Sequence, residues 1–245
     1  MIKAILFDLD GTLVRTEDLK GLSYARAAVG IGRERFGEAQ VLEAYKDLVG
    51  HSRQEVSEGL LARFSLHEAV RPTMQKYGVE NPWEAFSHLR LNIYEGFLND
   101  PDVLDQYRCP YNVKVLEWAR ENGYKRGLAT MSHRDQAARI LKLLDIEKEF
   151  DVIATRDDVT HPKPDPEIYH CVAGDLELPV RECLVIEDSP PGITAALRAG
   201  MQCVAVTTGM TRAAVHESGI LQEEWIVDDP ADLLRVVRIA VARFA

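Results

Sequence analysis

From Pro110 onward the sequence alternates between short, almost wholly apolar runs and amphipathic stretches of helical period. Few soluble folds accommodate that pattern. A run that is apolar at nearly every position is a strand buried on both faces, and such strands belong to parallel sheets covered by helices on each side. The expected strands are Tyr124–Thr130, Phe150–Ala154, Cys183–Glu187, Gln202–Val206 and Trp225–Val227. The expected helices cover Tyr111–Glu121, Arg134–Leu144 and Pro230–Ala240. Two more open at Asp165-Pro166 and at Ser189-Pro190-Pro191, the second closing at Ala199-Gly200. Ser132 stands as N-cap of the Arg134 helix with Asp135 in a capping-box position. Asp165 followed by Pro166 gives the cap-then-proline start of the next one.

One more apolar run, Ile2–Phe7, precedes all of this. Between it and the alternating region, from about Asp18 to Glu95, the period is helical and no strand is evident. Candidate helices run near Leu19–Val29, Glu34–Leu48, Arg53–Phe64, Leu66–Tyr77 and Pro82–Phe97, punctuated by glycines and by Asn81-Pro82. The expected fold class is therefore α/β: a doubly wound parallel sheet built from residues 1–14 and 102–245, with an all-helical insert over 15–101 after the first strand.

Composition narrows the partners. A net charge of −10 argues against nucleic acid or an anionic membrane, which need a basic face. It leaves small anionic ligands open, since these respond to the local field. Cys109, Cys171, Cys183 and Cys203 are scattered without a C-x-x-C pair, so neither a disulfide framework nor a zinc site is expected. Cys183 and Cys203 fall inside apolar runs and are expected to be buried thiols. The N-terminal run is too short to be a signal peptide, and no stretch is long enough to span a bilayer. A soluble cytoplasmic protein, monomeric by default, is the expectation.

In open parallel sheets ligands bind beyond the C-terminal ends of the strands. Those ends are chemically rich here. The first strand leads into Asp8 and Asp10, then Gly11, which lets the chain turn sharply. Alternation along an extended chain would point both carboxylates at one spot. Two acids so placed need a cation or a shared proton between them. A calcium loop does not fit, because the further oxygen ligands and closing Glu are missing. The second strand ends at Thr130-Met131-Ser132. The third leads to His161-Pro162-Lys163-Pro164-Asp165, where the flanking prolines stiffen the lysine's backbone. The fourth ends in Glu187-Asp188-Ser189.

Four segments carry a family resemblance: F-D-L-D-G-T-L (Phe7–Leu13), L-A-T-M-S (Leu128–Ser132), H-P-K-P-D-P-E-I-Y (His161–Tyr169) and V-I-E-D-S-P-P-G-I-T-A-A-L-R-A-G-M (Val185–Met201). Together they resemble the haloacid dehalogenase (HAD) superfamily, in particular its phosphoglucomutase- and phosphoglycolate phosphatase-like branch with a helical cap. The resemblance implies a Rossmann-like core and a cap domain in the insert. It implies that Asp8 attacks phosphorus and that Asp10 serves as general acid and base. Thr130, Ser132 and Lys163 would bind the phosphoryl group, with Lys163 neutralising charge. Mg²⁺ would be held by Asp8, Asp10 (through its backbone carbonyl), Asp188 and, directly or through water, Glu187. Charge balance agrees independently: four acids beside a phosphate dianion require a cation, and an all-carboxylate set suits magnesium. Asp10 favours phosphoryl transfer over dehalogenation, since a halide leaving group needs no acid.

The chain departs from the mutases of that branch. They resemble D-G-x-x-x-D-T followed by a cap histidine, whereas Arg15 stands at the acid and Lys20 at the histidine. A phosphatase acting on a small phosphorylated metabolite is the expectation, with a sugar-phosphate mutase and a non-catalytic phosphometabolite-binding protein as alternatives. In the insert, Gly50-His51-Ser52-Arg53 resembles the family's specificity loop. His51 and Arg53 are candidates to contact the substrate, although His51 also reads as a plain loop residue. Arg15 and Lys20 read either as substrate contacts or as solvated charges.

Overall fold

A computed structural model describes residues 1–244 apart from Glu34, Gly50 and His51. In chain order the elements are β1 (Ala4–Phe7), α1 (Thr16–Gly32), α2 (Glu38–Lys46), α3 (Arg53–Arg63), α4 (Arg71–Tyr77), α5 (Pro82–Leu98), α6 (Pro101–Gln106), α7 (Pro110–Glu121), β2 (Lys125–Ala129), α8 (Arg134–Leu143), β3 (Val152–Ala154), α9 (Glu167–Asp175), β4 (Cys183–Glu187), α10 (Pro190–Arg198), β5 (Gln202–Val206), α11 (Arg212–Ser218), β6 (Ile226–Val227) and α12 (Leu233–Arg243). They form two compact units, Met1–Thr16 with Leu104–Ala245, and Glu17–Val103.

The first unit holds a six-stranded sheet in the order β3-β2-β1-β4-β5-β6, every pair parallel. Strands β1 and β4 are buried along their whole length, which is why they carry no polar residue until the last position of β4. Cys183 and Cys203 are buried free thiols, as their apolar neighbours require. The chain leaves β1 towards β2 and β3, then returns to the other side of β1 for β4. Strand order thus reverses between β1 and β4, the place where such sheets open a ligand crevice. Register levels the strand ends there: Phe7 pairs with Leu128 on one side and Ile186 on the other. Asp8, Thr130 and Glu187 therefore emerge close together.

The second unit is all-helical. Its interior is aromatic, with Tyr24 packed on Tyr45 and Phe86 at ring centroid distances of 5.6 and 5.8 Å. The Arg90 guanidinium lies 4.7 Å above the Tyr24 ring. A buried Ser57–Ser87 hydrogen bond ties α3 to α5. Helix α3 starts with a capping box in which Ser52 and Glu55 satisfy each other's backbone amides.

Several boundaries differ from the sequence expectation. The Leu66–Tyr77 helix is confined to Arg71–Tyr77 after a turn closed by Val70 N to Leu66 O. Pro72 has no N–H to give an inner helical bond, so it sits in the first turn. The second helix begins at Glu38; Glu34 itself lies outside the described residues. The Asp165-Pro166 helix begins at Glu167, whose amide is accepted by the Asp165 carboxylate. Helices α6 and α11 were not expected. Each is six or seven residues long, too short for the apolar period to register. Among the described residues no helix is long and apolar enough to cross a membrane.

Candidate active site

Asp8 extends the β1 ladder by one bond, its amide donating to the Ile186 carbonyl at 3.0 Å. Beyond it the chain bends, with Gly11 at φ +91° and its amide on the Val14 carbonyl at 2.8 Å. The extended alternation assumed for Asp8 and Asp10 therefore stops at Phe7, and different partners hold the two carboxylates. Asp10 is gripped by hydroxyls. Its Oδ1 accepts from Thr16, and its Oδ2 accepts from Thr130 Oγ1 at 3.1 Å and Ser132 Oγ at 2.7 Å.

Asp8 faces Lys163. The lysine Nζ donates to Asp8 Oδ1 at 2.7 Å, to Glu187 Oε1 at 2.6 Å and to the Ala129 carbonyl at 2.9 Å. Three contacts take up all three ammonium protons. The Tyr169 ring lies beneath the charge at 5.1 Å, and its hydroxyl donates to Glu187 Oε1 at 3.1 Å. Glu187 Oε2 accepts from the Asp188 amide, the Ser189 amide and Ser189 Oγ. Both Glu187 oxygens are thus already in use, and its bonding is that of a counter-ion for Lys163. This backbone wrapping is possible because Gly192 has no side chain: a Cβ there would lie 1.8 Å from Glu187 Oε1.

Electrostatics make the site hungry for positive charge. Burial pushes the Asp8 carboxyl up to about 8; Lys163 opposes the rise, while Glu187 and Asp10 add to it. Burial pulls the Lys163 ammonium down, but Asp8 and Glu187 outweigh it and hold the group above its ordinary range. Asp8 Oδ2 is buried without a hydrogen-bond partner among the described residues. Carboxylate oxygens of Asp8, Glu187 and Asp188 lie within 4.8 Å of one another. An orphaned anionic oxygen in an all-carboxylate pocket suits a hard divalent cation such as Mg²⁺. Gly11 keeps that pocket open, since a Cβ on it would fall 2.1 Å from Asp188 Oδ2. Gly11→Ala is therefore expected to displace Asp188 and to force a left-handed backbone on a residue that resists it, costing about 1–3 kcal/mol. Chemical denaturation and Mg²⁺ titration of the variant check this; unchanged stability and unchanged metal affinity would contradict it.

Of the residues singled out in the sequence, Asp8, Asp10, Thr130, Ser132, Lys163, Glu187 and Asp188 converge here. Ser132 does not cap α8 as expected. Its hydroxyl is drawn to Asp10, the cap position passes to His133, and the Arg134 amide at the helix start donates to Asp157 Oδ2 at 2.8 Å instead. Arg53 begins α3 in the helical unit, where it lines a cavity of about 260 Å³ with Trp83, Ser87 and His88. His51 lies outside the described residues. Lys20 pairs with Glu17 at 2.5 Å. Arg15 donates to the Gln106 carbonyl at 3.2 Å and lies over the Tyr107 ring. Sequence reasoning missed Thr16 and Tyr169. Both lay within or beside quoted motifs, but hydroxyl contacts across the fold leave no periodic trace.

Comparison with known proteins agrees with this geometry. The family model for haloacid dehalogenase-like hydrolases matches residues 2–200. The chain is 29% identical to validoxylamine A 7'-phosphate phosphatase from Streptomyces hygroscopicus subsp. limoneus, over 91% of this chain and 94% of that one. It is 29% identical to a phosphorylated carbohydrates phosphatase from Thermotoga maritima, covering 82% and 83% respectively. A crystal structure from Thermotoga maritima, provisionally described as a beta-phosphoglucomutase, superposes with a TM-score of 0.73 at 26% identity, covering 97% of this chain and 99% of that one. The sheet order, the four converging strand ends and a match over most of the sequence lead to one conclusion: the chain belongs to the haloacid dehalogenase-like hydrolases.

Proposed function

We propose that the protein is a Mg²⁺-dependent phosphatase that hydrolyses a small phosphorylated metabolite through an aspartyl-phosphate on Asp8. The observation that carries this reading is the contrast between two neighbouring acids. Asp8 has one oxygen on Lys163 and the other buried without a partner, while Asp10 is oriented by three hydroxyls. That contrast supports the first as nucleophile and the second as proton carrier.

In the proposed sequence an Asp8 oxygen bonds to phosphorus and the substrate's ester P–O bond breaks. Asp10 gives its proton to the departing alkoxide, which leaves as an alcohol. Asp10 then takes a proton from a water whose oxygen attacks the phosphorus. The Asp8–phosphorus bond breaks, releasing inorganic phosphate and regenerating both acids. Thr130 and Ser132 donate hydroxyl hydrogen bonds to the phosphoryl oxygens once substrate loosens their hold on Asp10. Lys163 offsets the charge carried by Asp8. Asp8, Asp188 and the Asp10 carbonyl are the groups proposed to hold Mg²⁺, with Glu187 behind them. The ion supplies positive charge to the phosphoryl oxygens and keeps Asp8 ionised.

The helical unit is proposed to act as a cap, with Arg53 among its substrate contacts. The relative named for phosphorylated carbohydrates supports testing carbohydrate phosphates first. The likeness to a described phosphoglucomutase supports a mutase as second reading, against which stand Arg15 and Lys20. The test is release of inorganic phosphate from p-nitrophenyl phosphate and a panel of sugar phosphates, with EDTA and with Mg²⁺. Turnover is expected to vanish in EDTA and return with Mg²⁺. At a free Mg²⁺ concentration of about 100 Kd the ion should also add about 2.7 kcal/mol of stability. Undiminished turnover in EDTA would overturn the metal assignment. Interconversion of glucose 1- and 6-phosphate without phosphate release would favour the mutase.

A further inference from the structure

The sheet-bearing unit contains a cavity of about 210 Å³ that adjoins the candidate active site at Gly11. It lies beyond the C-terminal ends of β5 and β6, and its walls include Gly11, Arg15, Asn112, Thr208, Gly209 and Arg212. None of Asp8, Asp10, Thr130 or Lys163 lines it.

Two independent features give the cavity chemical character. The first is Asn112 on α7, only 1% exposed. Its Nδ2 donates to the Thr12 carbonyl at 2.6 Å, which fixes the orientation of the amide. Its Oδ1 is then left buried with no partner among the described residues. An unmet buried acceptor is unfavourable, and a ligand hydroxyl would relieve it. The second is charge. Arg15 and Arg212 stand on the walls against one acid, Asp228. That acid is shared: Arg212 Nη2 donates to its carbonyl at 2.9 Å, Thr207 Oγ1 to its carboxylate at 2.6 Å, and His216 Nε2 lies 3.2 Å away. Arg15 Nη2 in turn donates to the Gln106 carbonyl at 3.2 Å. The lining residues thus bring two guanidiniums and one carboxylate to the wall, a set suited to a small monoanion. The volume falls below the ~300–1,000 Å³ typical of drug-sized ligands, so the occupant is small.

We propose that this cavity is a second ligand site, separate from the phosphoryl site, that takes a small hydroxylated monocarboxylate. The carboxylate meets Arg15 and Arg212, and a hydroxyl donates to Asn112 Oδ1. The arginine that departs from the family pattern at position 15 thereby acquires a role.

The probe is sodium D-glycerate, titrated calorimetrically into the full chain in Mg²⁺, with and without saturating inorganic phosphate. Binding with a Kd of about 1 mM is expected, unaffected by phosphate and retained in Asp8→Asn. Arg212→Gln and Gly209→Leu are each expected to weaken it by about tenfold or more. Gly209 is a suitable blocking position because a Cβ on it meets nothing within 4 Å, so the fold is undisturbed. Melting curves of both variants confirm that. Absence of heat at glycerate concentrations about tenfold above the expected Kd, competition by phosphate, or unchanged binding in both variants would each overturn the proposal. Calorimetry reads binding without turnover, so the outcome is independent of whether the chain proves to be a phosphatase.

Discussion

Asp8→Asn is expected to abolish phosphate release, by about 10⁴-fold or more, and at the same time to raise the melting temperature of the metal-free protein. Loss of activity follows from losing the proposed nucleophile. Gain of stability follows from charge. Lys163 sits between two buried acids, 2.7 Å from Asp8 and 2.6 Å from Glu187, so without a bound cation the cluster holds one negative charge too many. Burial holds the Asp8 carboxyl up at about 8, against an ordinary value of 3.8. Below about pH 4 the group is protonated in both folded and unfolded chains. Between about pH 4 and 8 the unfolded chain ionises while the folded chain keeps its proton, so wild-type stability falls as pH rises through that window. The asparagine variant escapes that loss. In EDTA its stability advantage is therefore expected to grow from pH 4 to pH 8, and added Mg²⁺ should narrow it. Thermal melts of both proteins across that range check the prediction. An advantage that shrinks with pH, or residual turnover near the wild-type rate, would count against the site as drawn.

Lys163→Met is expected to do the reverse to the fold. It leaves two buried carboxylates without their counter-ion, a loss of about 3–5 kcal/mol. It also removes three hydrogen bonds at once and strips charge compensation from the nucleophile, so activity should fall as well. Urea denaturation measures the first effect. The double variant Asp8→Asn/Lys163→Met separates the electrostatic cause from simple loss of packing. If charge is responsible, the double variant recovers part of the lost stability, with a coupling of about 1–3 kcal/mol between the sites. Strict additivity would assign the loss to packing alone.

The sheet was legible because burial on two faces forces apolar runs, and β4 and β5 match the expected Cys183–Glu187 and Gln202–Val206. Convergence of the strand ends was also legible, since a parallel sheet brings C-terminal ends together whatever the intervening sequence. Orientation of side chains was not. Ser132 looked like a helix cap because serine before a helix usually is one; its preference for Asp10 depends on a residue 122 positions away. Glu187 stands in the carboxylate group able to hold a cation, but its bonds to Lys163, Tyr169 and the following backbone left no mark in the sequence. Tyr169 sits inside a quoted motif, but nothing local distinguishes a core tyrosine from one that buttresses a salt bridge. Charged residues such as Arg15 and Lys20 carry no periodic signal, so their partners emerged only from the fold.

The way the chain departs from the sheet and comes back has a consequence of its own. Val14 forms an antiparallel bridge with Arg108, the Arg15 amide reaches the Tyr107 carbonyl at 2.8 Å, and the Cys109 amide reaches the Leu13 carbonyl at 3.0 Å. Outgoing and incoming segments are stitched side by side before any of the insert begins. Whatever is threaded between them starts and finishes at a single doorway, and its length makes no demand on the sheet's own bonding. Such a junction lets the helical module be exchanged or reshaped while the sheet and its strand ends stay untouched.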